Sequence, residues 1–119
     1  MAKLYFRYGT VDSAKTLNLL AVAHSYRQRG KKVRLLKPSI DDRFGARDIV
    51  SRAGLSARAD VLLEPDSQLD FLEYRGLDCV LVDEAQFLSA SVVEQLRRVS
   101  SECDVPVLCY GLRTDFRTR

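Results

Sequence analysis

Lys15 and Thr16, side by side where a loop of mostly small residues meets an apolar segment, are the pair best placed to do chemistry in this chain. The loop reads Gly9, Thr10, Val11, Asp12, Ser13, Ala14, Lys15, Thr16. A loop of this kind can hold a row of phosphates, because backbone N–H groups at a helix start, the positive end of the helix dipole and a lysine ammonium converge on one anion. The P-loop pattern GxxxxGK[ST] is met at Gly9, Lys15 and Thr16, but Ala14 stands where the pattern has glycine. Glycine there frees the backbone for positive φ and close approach to phosphate. Alanine serves only if the local backbone stays in a region open to L-residues. The plainer alternative is a turn that happens to contain Lys and Thr.

An acidic pair supplies the second signal. Asp83 and Glu84 follow the apolar run LDCVLV and open the segment Asp83, Glu84, Ala85, Gln86, Phe87. At the tip of a parallel strand neighbouring the phosphate loop, Asp83 would approach a magnesium ion while the Thr16 hydroxyl reaches the same ion directly. Glu84 would then lie next to the transferred phosphoryl group, where a carboxylate can take a proton from an attacking hydroxyl or water. Taken alone, such a pair is equally a polar strand end or a helix N-cap. Together with the loop it points to the crevice outside the carboxyl ends of the strands, where α/β sheets bind ligands.

These groups require a scaffold, and the hydrophobic pattern describes one. Residues 3–8, KLYFRY, read as a strand feeding the loop. From Thr16 a helix is expected, with Leu17, Leu19, Leu20, Ala23 and Tyr26 on its apolar face and Gly30 after its last turn. Residues 32–37, 60–63, 77–82 and 105–110 read as further strands. Between them, residues 66–74 suggest a short helix capped by Asp66 or Ser67. Residues 89–101 suggest a longer one, capped by Ser89 or Ser91 with a stripe of Val92, Val93, Leu96 and Val99. Residues 39–58 read as a loop with at most a short helix. The sum is a single α/β domain over residues 1–119, with a mainly parallel sheet flanked by helices.

Composition narrows the classes. With 119 residues, 46% of them hydrophobic, the chain can bury one core. Its net charge of +3 could suit phosphate or nucleic acid, but the arginines are scattered without a basic block, so a solvated surface explains most of them and the charge alone decides nothing; no nucleic-acid partner is expected. Cys79, Cys103 and Cys109 lack CxxC spacing, which supports buried structural thiols and does not support zinc. No signal-peptide pattern opens the sequence and no apolar stretch nears the roughly 20 residues of a membrane span. A cytoplasmic protein without a membrane partner is the expectation. His24, with no second ligand type clustered around it, reads as a helix-surface or packing residue.

The segments KLYFRYG, the loop ending in KT, LLKPSIDDRFG, CVLVDEAQFL and PVLCYGLRTDFR together resemble the thymidine kinases of the zinc-containing, two-domain type. The resemblance keeps the same order along essentially the whole chain. It implies a P-loop, RecA-like core and transfer of the γ-phosphate of ATP to the 5′-hydroxyl of thymidine or deoxyuridine, with Mg2+.

By that resemblance, residues 9–16 wrap the phosphates, Lys15 neutralises developing charge, and Thr16 and Asp83 hold the ion. Glu84 is the general base, with Ala85 and Gln86 beside it near the nucleotide. Asp41 and Arg43 match positions near the reacting phosphate, Arg43 as the group that stabilises the transition state. Val11, Phe87, Leu112 and Phe116 match positions around the thymine. For Arg43 a surface arginine remains the alternative, and for Phe87 and Phe116 ordinary core packing. The family pattern continues with a final strand, a zinc ribbon and a lasso-like loop over thymidine, and the expectation is that residues 1–119 do not supply them. Feedback binding of thymidine triphosphate and a homo-dimer or homo-tetramer are further implications. A catalytically impaired, truncated nucleotide-binding module is the second reading.

Overall fold

The computed structural model describes residues 2–9, 14–39, 47–51 and 53–112. Five parallel strands form one sheet: β1 (Leu4–Gly9), β2 (Val33–Pro38), β5 (Val61–Leu63), β6 (Cys79–Val82) and β7 (Val107–Leu112). Their order across the sheet is β1-β7-β6-β2-β5. Two helices, α1 (Lys15–Gln28) and α2 (Ala90–Glu102), follow β1 and β6.

The run CVLV of β6 shows why the sheet is buried on both faces. Side chains alternate along a strand, so Val80 and Val82 enter one core with Val92, Leu96 and Val99 of α2. Cys79 and Leu81 enter the other, with Leu19, Leu20 and Ala23 of α1. The expected α/β layering is therefore present, with one helix on each face.

Helix α2 begins where its cap dictates. Ser89 Oγ accepts from Val92 N at 3.1 Å, an interaction worth about 1 kcal/mol. His24 is exposed on α1.

Two expectations are corrected. Residues 66–74 form no α-helix; a single 3-10 turn spans Phe71–Tyr74, and its cap is Asp70, which accepts from Leu72 N. Ser67 instead closes a turn at Glu64, and Gln95 of α2 takes Leu69 N and gives to Ser67 O. These tertiary bonds use the backbone groups that a local helix would have paired. Within 39–58, an antiparallel hairpin forms from β3 (Asp48–Val50) and β4 (Ser56–Arg58). Ile49 is buried against the α1 side of the sheet, and Lys37 Nζ donates to Asp48 O at 2.7 Å. A three-residue strand with one buried side chain is too short to show as periodicity.

All three cysteines are buried thiols. Burial, then the charge of Asp78, pushes Cys79 up to about 11, and burial pushes Cys109 up to about 12. Both thiols are protonated at pH 8, and the thiolate is the nucleophile. Iodoacetamide at that pH is expected to leave them unmodified in the folded chain and to label them in denaturant, as read by mass spectrometry. Fast labelling of the folded chain would contradict the packing.

Among the described residues, no helix is long and apolar enough to cross a membrane.

Candidate active site

The described part of the phosphate loop consists of Gly9, Ala14, Lys15 and Thr16. Thr10, Val11, Asp12 and Ser13 lie outside the described residues, as do Asp41, Arg43 and Phe116. Gly9 ends β1 opposite Leu112 of β7. Ala14 has φ −89° and ψ 29°, near the bridge region that L-residues can adopt. No positive φ calls for the pattern's glycine here. The Ala14 carbonyl accepts from Asn18 N at 2.8 Å, and no acidic residue occupies the first turn of α1, so the helix start keeps its positive partial charge.

The acidic pair is shaped by one unusual residue. The ladder of β6 runs one step past the strand, with Asp83 N donating to Leu36 O at 2.9 Å. Glu84 then takes φ 54°, ψ 45°, the left-handed region, which costs a non-glycine residue about 1–2 kcal/mol. That turn starts a short 3-10 segment, Ala85–Phe87, whose Phe87 N bonds Glu84 O. In a continuing strand, Asp83 and Glu84 would point to opposite faces. The left-handed step cancels the alternation, and both carboxylates reach the same ammonium. Lys15 Nζ lies 3.9 Å from Asp83 Oδ1 and 3.9 Å from Glu84 Oε2. Only 11%, 5% and 7% of the three side chains is exposed. Lys15 Nζ also donates to Thr16 Oγ1 at 3.5 Å.

The expectation that the acidic strand neighbours the loop strand is corrected by the strand order. β7 lies between β1 and β6, which places them about 10 Å apart at two strand spacings. The long lysine side chain closes that gap. β7 contributes directly as well: Leu112 N donates to Gln86 Oε1 at 3.0 Å, and Gln86 Nε2 donates to Glu84 Oε1 at 2.7 Å. Leu112 is thus beside Gln86 and Gly9. Phe87 is half exposed and borders a shallow groove with Pro38, Leu63 and Leu88, so core packing does not account for it. On the α1 side of the sheet, Tyr110 is buried and its hydroxyl donates to Asn18 Oδ1 at 3.2 Å; burial raises its pKa.

Two features were missed in the sequence. The left-handed backbone at Glu84 has no signature in residue type. Gly111 does have one, since a glycine inside an apolar strand run marks a close approach. A Cβ on it would lie 2.6 Å from Gln86 Oε1.

A lysine ammonium between a threonine hydroxyl and two carboxylates, at the carboxyl ends of parallel strands, can bind a phosphate chain and present a base beside it. A family model described as thymidine kinase matches residues 2–119. The chain is 49% identical to a thymidine kinase of Xanthomonas axonopodis pv. citri, across 98% of this chain and 58% of that protein. It is 42% identical to one from Shewanella oneidensis (98% and 63%) and 44% identical to one from Francisella tularensis (98% and 61%). The chain thus spans about three fifths of the length of these relatives.

Proposed function

The chain belongs to the thymidine kinase family, and from that footing we propose that its site transfers the γ-phosphate of ATP to the 5′-hydroxyl of thymidine or deoxyuridine. The observation that carries the reading is the placement of Lys15 within 3.9 Å of both Asp83 and Glu84. Phosphoryl transfer needs little covalent chemistry from a protein; it needs charge placed where charge develops and a group to accept the hydroxyl proton. Lys15 supplies the first and Glu84 the second. The Glu84 carboxylate is held by Gln86 on one oxygen and faces Lys15 with the other.

Among the described residues no group of three or more His, Cys, Asp or Glu side chains could hold a metal ion. Magnesium does not require such a cage, because it keeps several waters and is usually held by one or two protein oxygens plus substrate phosphates. Thr16 and Asp83 offer hard oxygen donors of that kind and would hold it. The ion, when bound, neutralises phosphate charge.

Phe87 and Leu112, on neighbouring segments at this end of the sheet, are the described candidates for contact with the thymine. Val11, Asp41, Arg43 and Phe116 complete the proposed set, Arg43 as the transition-state cation. Cytoplasmic location, assembly into a dimer or tetramer, feedback binding of thymidine triphosphate, and residues 1–119 as one catalytic core domain belong to the same proposal.

Purified chain with magnesium, ATP and thymidine is expected to form thymidine monophosphate, and calorimetry is expected to detect thymidine triphosphate. ATP binding without product would favour the nucleotide-binding module. Hydrolysis of ATP indifferent to thymidine and its triphosphate would overturn both.

A further inference from the structure

We propose that Gln86 and Gly111 form a positioning device for the Glu84 carboxylate, an inference that rests on Glu84 being the base of the proposed reaction. The amide of Gln86 has a single orientation that satisfies both neighbours. Leu112 N–H can only donate and an ionised carboxylate can only accept, so Oε1 must face the strand and Nε2 must face Glu84. The distances of 3.0 Å and 2.7 Å are those of formed bonds. One end of the side chain is thereby tied to the backbone of β7, a strand paired on both sides, and the other to the carboxylate. Glu84 Oε1 points to Gln86 and Oε2 toward Lys15. Two oxygens assigned to two directions define the plane of the carboxyl group, and with it the directions in which its lone pairs lie.

Gly111 makes the room for this arrangement. A Cβ there would stand 2.6 Å from Gln86 Oε1, 3.1 Å from Gln86 N and 3.2 Å from Ala85 N. The Gln86 amide would have to swing away from its present place, breaking the bond to Leu112 N, and the two backbone contacts, tighter than ordinary packing, would press on the turn carrying Glu84. No left-handed φ demands glycine at this position. The residue is required for space, and the space is filled by Gln86.

Gln86→Met keeps the approximate shape and removes both bonds. It is expected to lower kcat for thymidine phosphorylation by about 10- to 100-fold, the range a misplacement of ~1 Å can cause, with KM for ATP within about twofold. Gly111→Ala should give the same split from the other side of the contact. In a Glu84→Gln background, adding Gln86→Met should cost nothing further in kcat, because a positioning residue has no effect once the base is gone. An equal loss in both backgrounds would overturn the proposal in favour of a structural role. A readout without turnover separates this from the parent reading. The side-chain amide resonances of Gln86, assigned by their loss in Gln86→Met, are expected to move in both Glu84→Gln and Gly111→Ala spectra. Unmoved resonances would overturn the linkage whether or not the chain phosphorylates thymidine.

Discussion

Glu84→Gln is expected to lower kcat for thymidine phosphorylation by about 10²–10⁴-fold, the usual share of general acid–base catalysis, with ATP affinity unchanged or slightly higher. The substitution is nearly isosteric, and its amide oxygen can still accept from Gln86 Nε2, which lies 2.7 Å from Glu84 Oε1. The scaffold should survive; basicity does not. The sign on ATP follows from charge. Glu84 and Asp83 both lie 3.9 Å from the ammonium that would bind the polyphosphate, so each carboxylate competes for that cation and repels the anion. Removing one leaves Lys15 more available to ATP. Initial rates and calorimetry on the same preparation decide the matter. Weakened ATP binding at undiminished kcat would make Glu84 a structural partner of Lys15 and end its assignment as base.

The fold was legible where packing follows from local pattern. The unbroken apolar run of β6 announced a strand covered on two faces, and the structure sends Val80 and Val82 to one core and Cys79 and Leu81 to the other. Ser89 was readable as a cap because a hydroxyl there meets an orphan N–H three residues on. The site was legible as residue types but not as geometry. Lys15, Thr16, Asp83 and Glu84 stood out by chemistry, yet nothing in their identity told that Glu84 would turn left-handed and bring two consecutive carboxylates to one cation. Strand order was equally hidden, since β7 enters between β1 and β6 after both have been laid down in the chain. The segment around Ser67 illustrates the same limit: its polar residues suggested a helix cap, and a glutamine 28 residues further on took the backbone instead.

Lys15→Met should act on binding first and on the fold second. A hydrogen bond to a charged group contributes about 1.5–3 kcal/mol, so losing the ammonium is expected to weaken ATP binding by about 10- to 100-fold in calorimetry. The apo chain should also be less stable, because the Asp83 and Glu84 side chains are 5% and 7% exposed and both face this cation. Breaking a buried pair by removing one partner costs about 3–5 kcal/mol when the contact is tight. At 3.9 Å these contacts are longer than hydrogen bonds, and about 1–3 kcal/mol is the expected loss by urea unfolding, below the usual cost of a tight pair. The double substitution Lys15→Met with Glu84→Gln provides the sharper measurement. Removing the second charge should recover part of the stability lost with the first, since it relieves a carboxylate deprived of its cation, while ATP binding stays weak. A double variant whose losses in stability simply add would mean that Lys15 and Glu84 do not sense each other, and the shared-cation arrangement would then not describe the site in solution.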